Sequence, residues 1–290
     1  MRIGIHTSIS KSLENAALTA AEIGANTFQI FSTSPRMWRP SVPSSDQVKL
    51  LRAAREKFDL TPLVIHANYL INLASCSEEL RAKSAESLRS EIQRGLTIGG
   101  EYVVLHPGNC KGHTVEQGIV AVVRSLEEAS AGLDTRGLTV LLENTAGSGE
   151  ALGSRFEELA RMRECASRVM DLEVGFCLDT CHCHSSGYDL ATAVGLRRTV
   201  AEMERVLGAA NVRVIHANDS KSPFNSRIDR HAHIGKGSIG EAGFRRILSH
   251  PKLRQKSFIL ETPVDEEGDD RRNVEALKRL ATRSTPSRRR

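Results

Sequence analysis

Six short apolar runs along this chain each end in a side chain that can ligate a metal ion. They are PLVIH at His66, EYVVLH at His106, LTVLLE at Glu143, GFCLD at Asp179, VRVIH at His216 and SFILE at Glu261. Successive ends lie about 36 to 45 residues apart, roughly one strand, one helix and two loops. A repeat of that length leaves few folds open. If each run is a parallel strand of one barrel, all six polar ends project from its C-terminal rim, the face on which such barrels carry their active sites.

The whole chain supports this reading. Strands are expected over 2–6, 27–31, 63–66, 102–106, 138–143, 173–179, 212–216 and 257–261. Most are apolar on consecutive positions, as strands covered on both faces are. Helical patterns fill 12–24, 46–58, 77–99, 114–132, 154–170, 189–208, 241–250 and 271–283. Ser77 opens one helix, and Ser154 with Glu157 reads as a capping box for another. Eight such units predict an α/β fold, a (β/α)8 TIM barrel in a single domain over 1–282, followed by a basic, disordered tail over 283–290. A doubly wound sheet would favour a glycine-rich phosphate turn after the first strand, and GIHTSISKS is not one. One connection is long: NDSKSPFNSRIDRHAHIGKGSIG follows His216 on the rim side, where ordered long loops are usually functional.

Charge says little about the folded body. The net +5 falls to +1 without the last eight residues, RSTPSRRR, because 36 basic residues then face 35 acidic ones. No apolar run is long enough to span a membrane, and MRIGIHTSIS lacks the layout of a signal peptide. The expected location is therefore the cytoplasm if the source is bacterial, with the six cysteines reduced.

Imidazoles and carboxylates suit zinc, manganese or iron. A carboxylate can also bridge two ions, which makes Glu143, central in the series, a candidate bridge. Any one of the six, taken alone, reads equally as a hydrogen-bonded strand end; six in one structural position point to a metal rim. Further candidates lie off the strands. His182 and His184 share CLDTCHCH, while Asp229, His231 and His233 share SRIDRHAH. Spacing does not say which histidine of each pair points inward. Cys177, Cys181 and Cys183 lack the second pair that a four-thiolate zinc site needs.

At these residues the chain resembles the endonuclease IV family of apurinic/apyrimidinic endonucleases. The resemblance runs from GIHTSISKSLENA to ILETP and is carried by HANYLINL, LHPG, ENTAG, CLDTCH with SSGYDL, IHANDSK and SRIDRHAHIGKGSIG. It implies a TIM barrel holding three metal ions, usually zinc. By motif, His66, His106 and Glu143 would hold one ion. Glu143 would bridge to a second held with Asp179, His216 and Glu261, and His182, Asp229 and His231 would hold the third. It further implies cleavage of duplex DNA 5′ to abasic sites, leaving a 3′-hydroxyl and a 5′-deoxyribose phosphate, and trimming of blocked 3′ ends. Glu143 and Glu261 would be the catalytic carboxylates, acting mainly as ligands, with a monomer as the working unit. No protein nucleophile is required, although Cys181 and Ser8 have the residue type.

For DNA contact the resemblance points to Arg36, Tyr69 and Leu70 around the lesion, and the long loop offers Lys221, Arg227 and Arg230 to phosphates. The alternative for Tyr69 and Leu70 is helix-start packing; for Arg36 and Trp38, capping of the rim; for the basic loop, solvation. Asn68, Asn144 and His6 are expected to orient ligands. GKG stands where some members carry an acid between the glycines, and CHCHSSG is unusually rich in thiols. Two other readings remain: a sugar isomerase of the xylose isomerase-like group, and a barrel that binds damaged DNA without cutting it.

Overall fold

The structure is a computed structural model that describes residues 1–34, 38 and 42–282; Arg36 and the arginine tail at 283–290 lie outside the described residues. In chain order the elements are β1 (Arg2–His6), α1 (Leu13–Glu22), β2 (Phe28–Phe31), α2 (Ser45–Lys57), β3 (Leu63–His66), α3 (Glu78–Ile98), β4 (Tyr102–Leu105), α4 (Val115–Ser130), β5 (Thr139–Glu143), α5 (Phe156–Ala166) and β6 (Glu173–Asp179). There follow α6 (Thr180–Ser185), α7 (Ala193–Val206), β7 (Val212–His216), β8 (Asp219–Ser220), β9 (His231–Ala232), α8 (Gly240–Ser249), β10 (Ser257–Leu260) and α9 (Asp269–Thr282). Eight parallel strands close in the order β1-β10-β7-β6-β5-β4-β3-β2. This is the expected TIM barrel. β8 and β9 form a separate antiparallel ribbon on the rim.

Side chains alternate across each strand, and that alternation builds the site. Val64, Val104, Leu141, Cys177, Val214 and Ile259 form a fully buried layer inside the barrel, with Tyr102 packed against it. Two residues further along the same strands come His66, His106, Glu143, Asp179, His216 and Glu261. The polar rim is therefore the next inward layer, standing on an apolar floor. The intervening residues, such as Ile65, Leu105, Leu142, Ile215 and Leu260, face outward into the core shared with the helices.

Three details differ from the sequence expectation. The capping box of Ser154 with Glu157 does not form. α5 begins at Phe156 with no side-chain cap; the Tyr188 hydroxyl accepts from the Phe156 amide at 3.0 Å, and Glu158 accepts from the Gly153 amide at 2.8 Å. A tertiary acceptor, Tyr188, and a local one, Glu158, replace the serine. The helix expected from 189 starts at Ala193 under the cap Thr192, because the Asp189 carboxylate instead accepts the amides of Ala191 and Thr192 in a turn. α6 went unread: six residues, TCHCHS, are too few to show helical periodicity.

Candidate metal centre

The nine candidate ligands fall into three connected groups. His66, His106 and Glu143 form one; Glu143, Asp179, His216 and Glu261 a second; His182, Asp229 and His231 a third. Within each group, one potential ligand atom per residue lies within 4.8 Å of the others. The first two groups share Glu143, which is fully buried. Its Oε2 lies 3.2 Å from His66 Nε2 and 3.5 Å from His106 Nε2, while Oε1 lies 3.0 Å from His216 Nδ1. One carboxylate thus presents its two oxygens to two sets of imidazoles.

Local structure fixes how the histidines point. His66 Nδ1 donates to the Ala67 carbonyl at 2.8 Å, His182 Nδ1 to the Asn144 carbonyl at 2.9 Å, and His231 Nδ1 to the Glu261 carbonyl at 2.9 Å. His216 Nε2 donates to Gln29 Oε1 at 2.8 Å. In each ring one nitrogen is engaged with a neutral oxygen, leaving the other nitrogen facing the carboxylates. That arrangement selects the tautomer a metal ligand needs. His182 Nε2 is 3.1 Å from Asp229, and His231 Nε2 is 3.3 Å from Asp229 and 3.6 Å from Asp179. His231 Nε2 is buried with no hydrogen-bond partner, a costly state that an ion at this point would relieve. The donor set, its second-contact partners and this orphaned nitrogen together fit divalent metal ions.

The electrostatics agree. Burial opposes charge on Glu143, but His216 and His106, with hydrogen bonds from His182 and His216, hold its carboxyl well below the usual range. Glu261 sits at about 2, burial being overcome by His216 and His66. His182 and His216 are raised against burial, by Asp179 in the first case and by Cys177, Glu261 and Glu143 in the second. His231 rises to about 9 despite burial, chiefly through Asp179. The site therefore stabilises ionised carboxylates opposite imidazoles, and metal binding would displace protons from those rings.

The remaining sequence candidates separate in space. His184 turns away from the cluster and packs edge-on against Phe224, with ring centroids 5.4 Å apart. His233 Nε2 meets Asp265 at 3.2 Å, and its Nδ1 accepts from Asn273 at 3.0 Å. Cys181 lies close to Asp179 and His231, but burial pushes its thiol up to about 11 and its Sγ–H donates to the Arg230 carbonyl. Ser8 accepts the Ser10 amide and touches no ligand group among the described residues. Asn144 holds Asp179 by accepting its amide at 2.7 Å. Asn68 differs from expectation: it accepts the Leu70 amide at 3.0 Å and donates to Ser87, so it shapes the Tyr69–Leu70 turn rather than a ligand. His6 accepts from Gln29 and its pKa falls to about 4 through burial.

Two orienting residues were missed by sequence reasoning. Gln29, on β2, sits in the same rim layer. It donates to Glu261 at 2.6 Å while accepting from His216. Asn218 donates to Asp179 Oδ2 at 2.6 Å and accepts the Glu261 amide at 2.8 Å. The inward period of β2 would have found Gln29, whereas Asn218 lies in a loop and carries no such signal. Gln29→Leu, of similar volume, removes both contacts. It is expected to weaken metal binding about 10- to 100-fold, read by competition against a chromophoric chelator; unchanged affinity would refute this role.

The candidate DNA contacts stand around this centre. Tyr69 is 69 % exposed, its ring 5.1 Å from Phe31. It lies between two cavities of about 370 and 340 Å³ that both reach His66, His106, His182 and Asp229. Because α3 begins at Glu78, Tyr69 and Leu70 belong to a loop and not to a helix start. Lys221, Arg227 and Arg230 are exposed, and none makes an ion pair among the described residues. Trp38 is half-buried.

The described residues contain no helix long and apolar enough to cross a membrane. A family model described as xylose isomerase-like TIM barrel matches residues 18–282. The chain is 61 % identical over 286 residues to a probable endonuclease 4 of Solibacter usitatus, covering 99 % of each chain. Endonuclease IV from Thermus thermophilus, a solved structure, superposes with a TM-score of 0.85 at 38 % identity, covering 98 % of this chain and 100 % of that one. A D-tagatose 3-epimerase-like protein shares the fold alone, at 22 % identity and a TM-score of 0.71 over 98 % of each chain. With its rim of imidazoles and carboxylates and these full-length likenesses, the chain belongs to the endonuclease IV family.

Proposed function

We propose that this protein is a metal-dependent apurinic/apyrimidinic endonuclease of DNA repair. It hydrolyses the phosphodiester 5′ to an abasic site in duplex DNA, leaving a 3′-hydroxyl and a 5′-deoxyribose phosphate, and trims blocked 3′ ends. The observation that carries this reading is the three ligand groups with their pre-oriented histidines, in a chain closely similar to named endonucleases. Three divalent ions, zinc at most or all positions with manganese or iron as the alternatives, are held by His66, His106 and Glu143, by Glu143, Asp179, His216 and Glu261, and by His182, Asp229 and His231. When bound, such ions supply Lewis acidity that lowers the pKa of water and offsets charge on a phosphate.

The protein's own groups do the rest. Glu143 and Glu261 stay ionised and act mainly as ligands, and one of them also orients the attacking water. Asn144, Asn218 and Gln29 keep those side chains in register. Tyr69 and Leu70 present an aromatic and an apolar side chain where a missing base leaves the stack open, so that insertion costs little unstacking. Lys221, Arg227 and Arg230 meet backbone phosphates, while Arg36 is assigned by motif to the lesion, beside Tyr69 and Leu70. The protein acts as a monomer.

The test is incision of a duplex carrying one synthetic abasic site, alongside metal analysis of the purified protein. Incision without added magnesium and in moderate EDTA, with about three ions per chain, is expected. A protein that fails to incise after reconstitution with zinc or manganese, yet isomerises a sugar, would belong with the sugar isomerases instead.

A further inference from the structure

Asp219 is fully buried on the rim ribbon. It belongs to none of the ligand groups, and among the described residues it makes no ion pair. Its carboxylate accepts backbone amides instead. Oδ1 receives Ser220 at 2.8 Å and Ile239 at 3.0 Å; Oδ2 receives Gly235 at 3.0 Å, Gly237 at 2.9 Å and Gly240 at 3.2 Å. All but Ser220 belong to the GKGSIG turn that follows β9. A carboxylate with this many backbone donors is a strongly held anchor, and each amide left unpaired in a buried turn would be costly.

The anchored turn is directly continuous with the third ligand group. β9 begins at His231, and its register pairs Asp219 with Ala232 and Ser220 with His231. One end of the ribbon thus leads into the loop that carries Asp229, and the other into the turn gathered around Asp219. Asn218, the preceding residue, faces the opposite way and holds Asp179. Adjacent residues of one short segment therefore serve the two sides: one steadies the central group, the other the ribbon that delivers His231 and Asp229. Gly237 supplies independent support. A Cβ there would stand 2.3 Å from the Ser220 carbonyl and 2.5 Å from Asp219 Oδ1, so the turn closes on the carboxylate only because this position is glycine.

We propose that Asp219 is a positioning residue for the third ion: by gathering the 235–240 turn it sets the place of His231 and, through the ribbon, of Asp229. This inference rests on the three-ion reading above. Asp219→Asn keeps the volume but turns an amide N–H towards backbone donors. Gly237→Ala disrupts the same turn from the other side and leaves the carboxylate intact.

Metal content, limited proteolysis and incision are to be measured for wild type and both variants. Wild type is expected to hold about three ions. Each variant is expected to hold about two, to be cut faster by protease within 221–240, and to incise at least tenfold more slowly, with activity recovering as free zinc is raised. Wild type with three ions and a variant that also keeps three, or a variant that loses all three together, overturns the positioning role. Wild type holding fewer than three ions overturns the three-ion reading itself, and the role of Asp219 falls with it.

Discussion

Glu143→Gln is expected to remove most metal binding and to lower incision by on the order of a thousandfold or more, with the barrel intact. Glu143 belongs to both of the groups that share it, and its oxygens lie within 3.5 Å of His66, His106 and His216. Glutamine has the same shape, but it has lost the charge and one acceptor, so its amide would meet imidazoles with a donor. Charge stabilisation by metal ions amounts to several kcal/mol, and about 1.4 kcal/mol is tenfold in rate. Metal content is expected to fall from about three ions to about one, the survivor held by His182, Asp229 and His231. Circular dichroism would confirm the fold, since the apolar layer beneath is untouched. A Glu143→Gln protein that binds three ions and incises like wild type would eliminate the bridging role.

Glu261→Gln is expected to cost about as much in rate and less in metal. Glu261 is the partly exposed carboxylate of the central group, with a side chain 20 % accessible and lining the cavity beside Tyr69. Its oxygens receive Gln29 at 2.6 Å and lie 3.3 Å from His216 Nδ1. The carbonyl of the new amide can still accept from Gln29, which keeps its bond to His216, so the local fold survives. The anion is what is lost, at the point where substrate can enter. A fall in kcat of roughly a thousandfold with KM little changed is the signature of an interaction made in the transition state. Wild-type turnover in this variant would overturn the ligand assignment, whatever the metal content.

The rim was legible because two periods coincide. Within a strand the side-chain period is two residues, so any strand whose inner layer ends in a ligand shows that ligand at a fixed place after an apolar run. Between strands, the length of a strand, a helix and two loops sets the second period. His66 through Glu261 obey both. Asp229, His231 and His182 obey neither, lying on a loop, a short ribbon and a six-residue helix; their neighbours His233 and His184 could not be separated from them by spacing. Gln29 obeys the first period, which marks it as inward, but an uncharged amide inside β2 carries no metal-ligand signal. The failed capping box at Ser154 has a related origin: the Phe156 amide goes to Tyr188, 32 residues away, which only folding brings near, while Glu158 serves locally in place of Glu157.

By itself, then, the sequence determined the barrel and the presence of a polar ring at one end of it, because burial patterns and element lengths are local properties that survive in one dimension. The motifs already implied how the nine ligands divide into three groups; only the tertiary structure decided which nitrogen of each ring faces the carboxylates, that Gln29 and Asn218 steady the central group, and that Asp219 gathers the turn behind His231. These are matters of distance and direction between residues up to 232 positions apart, as Gln29 and Glu261 are. A hydrogen bond or a shared ion forms only when closure of the barrel brings such residues within about 3 Å.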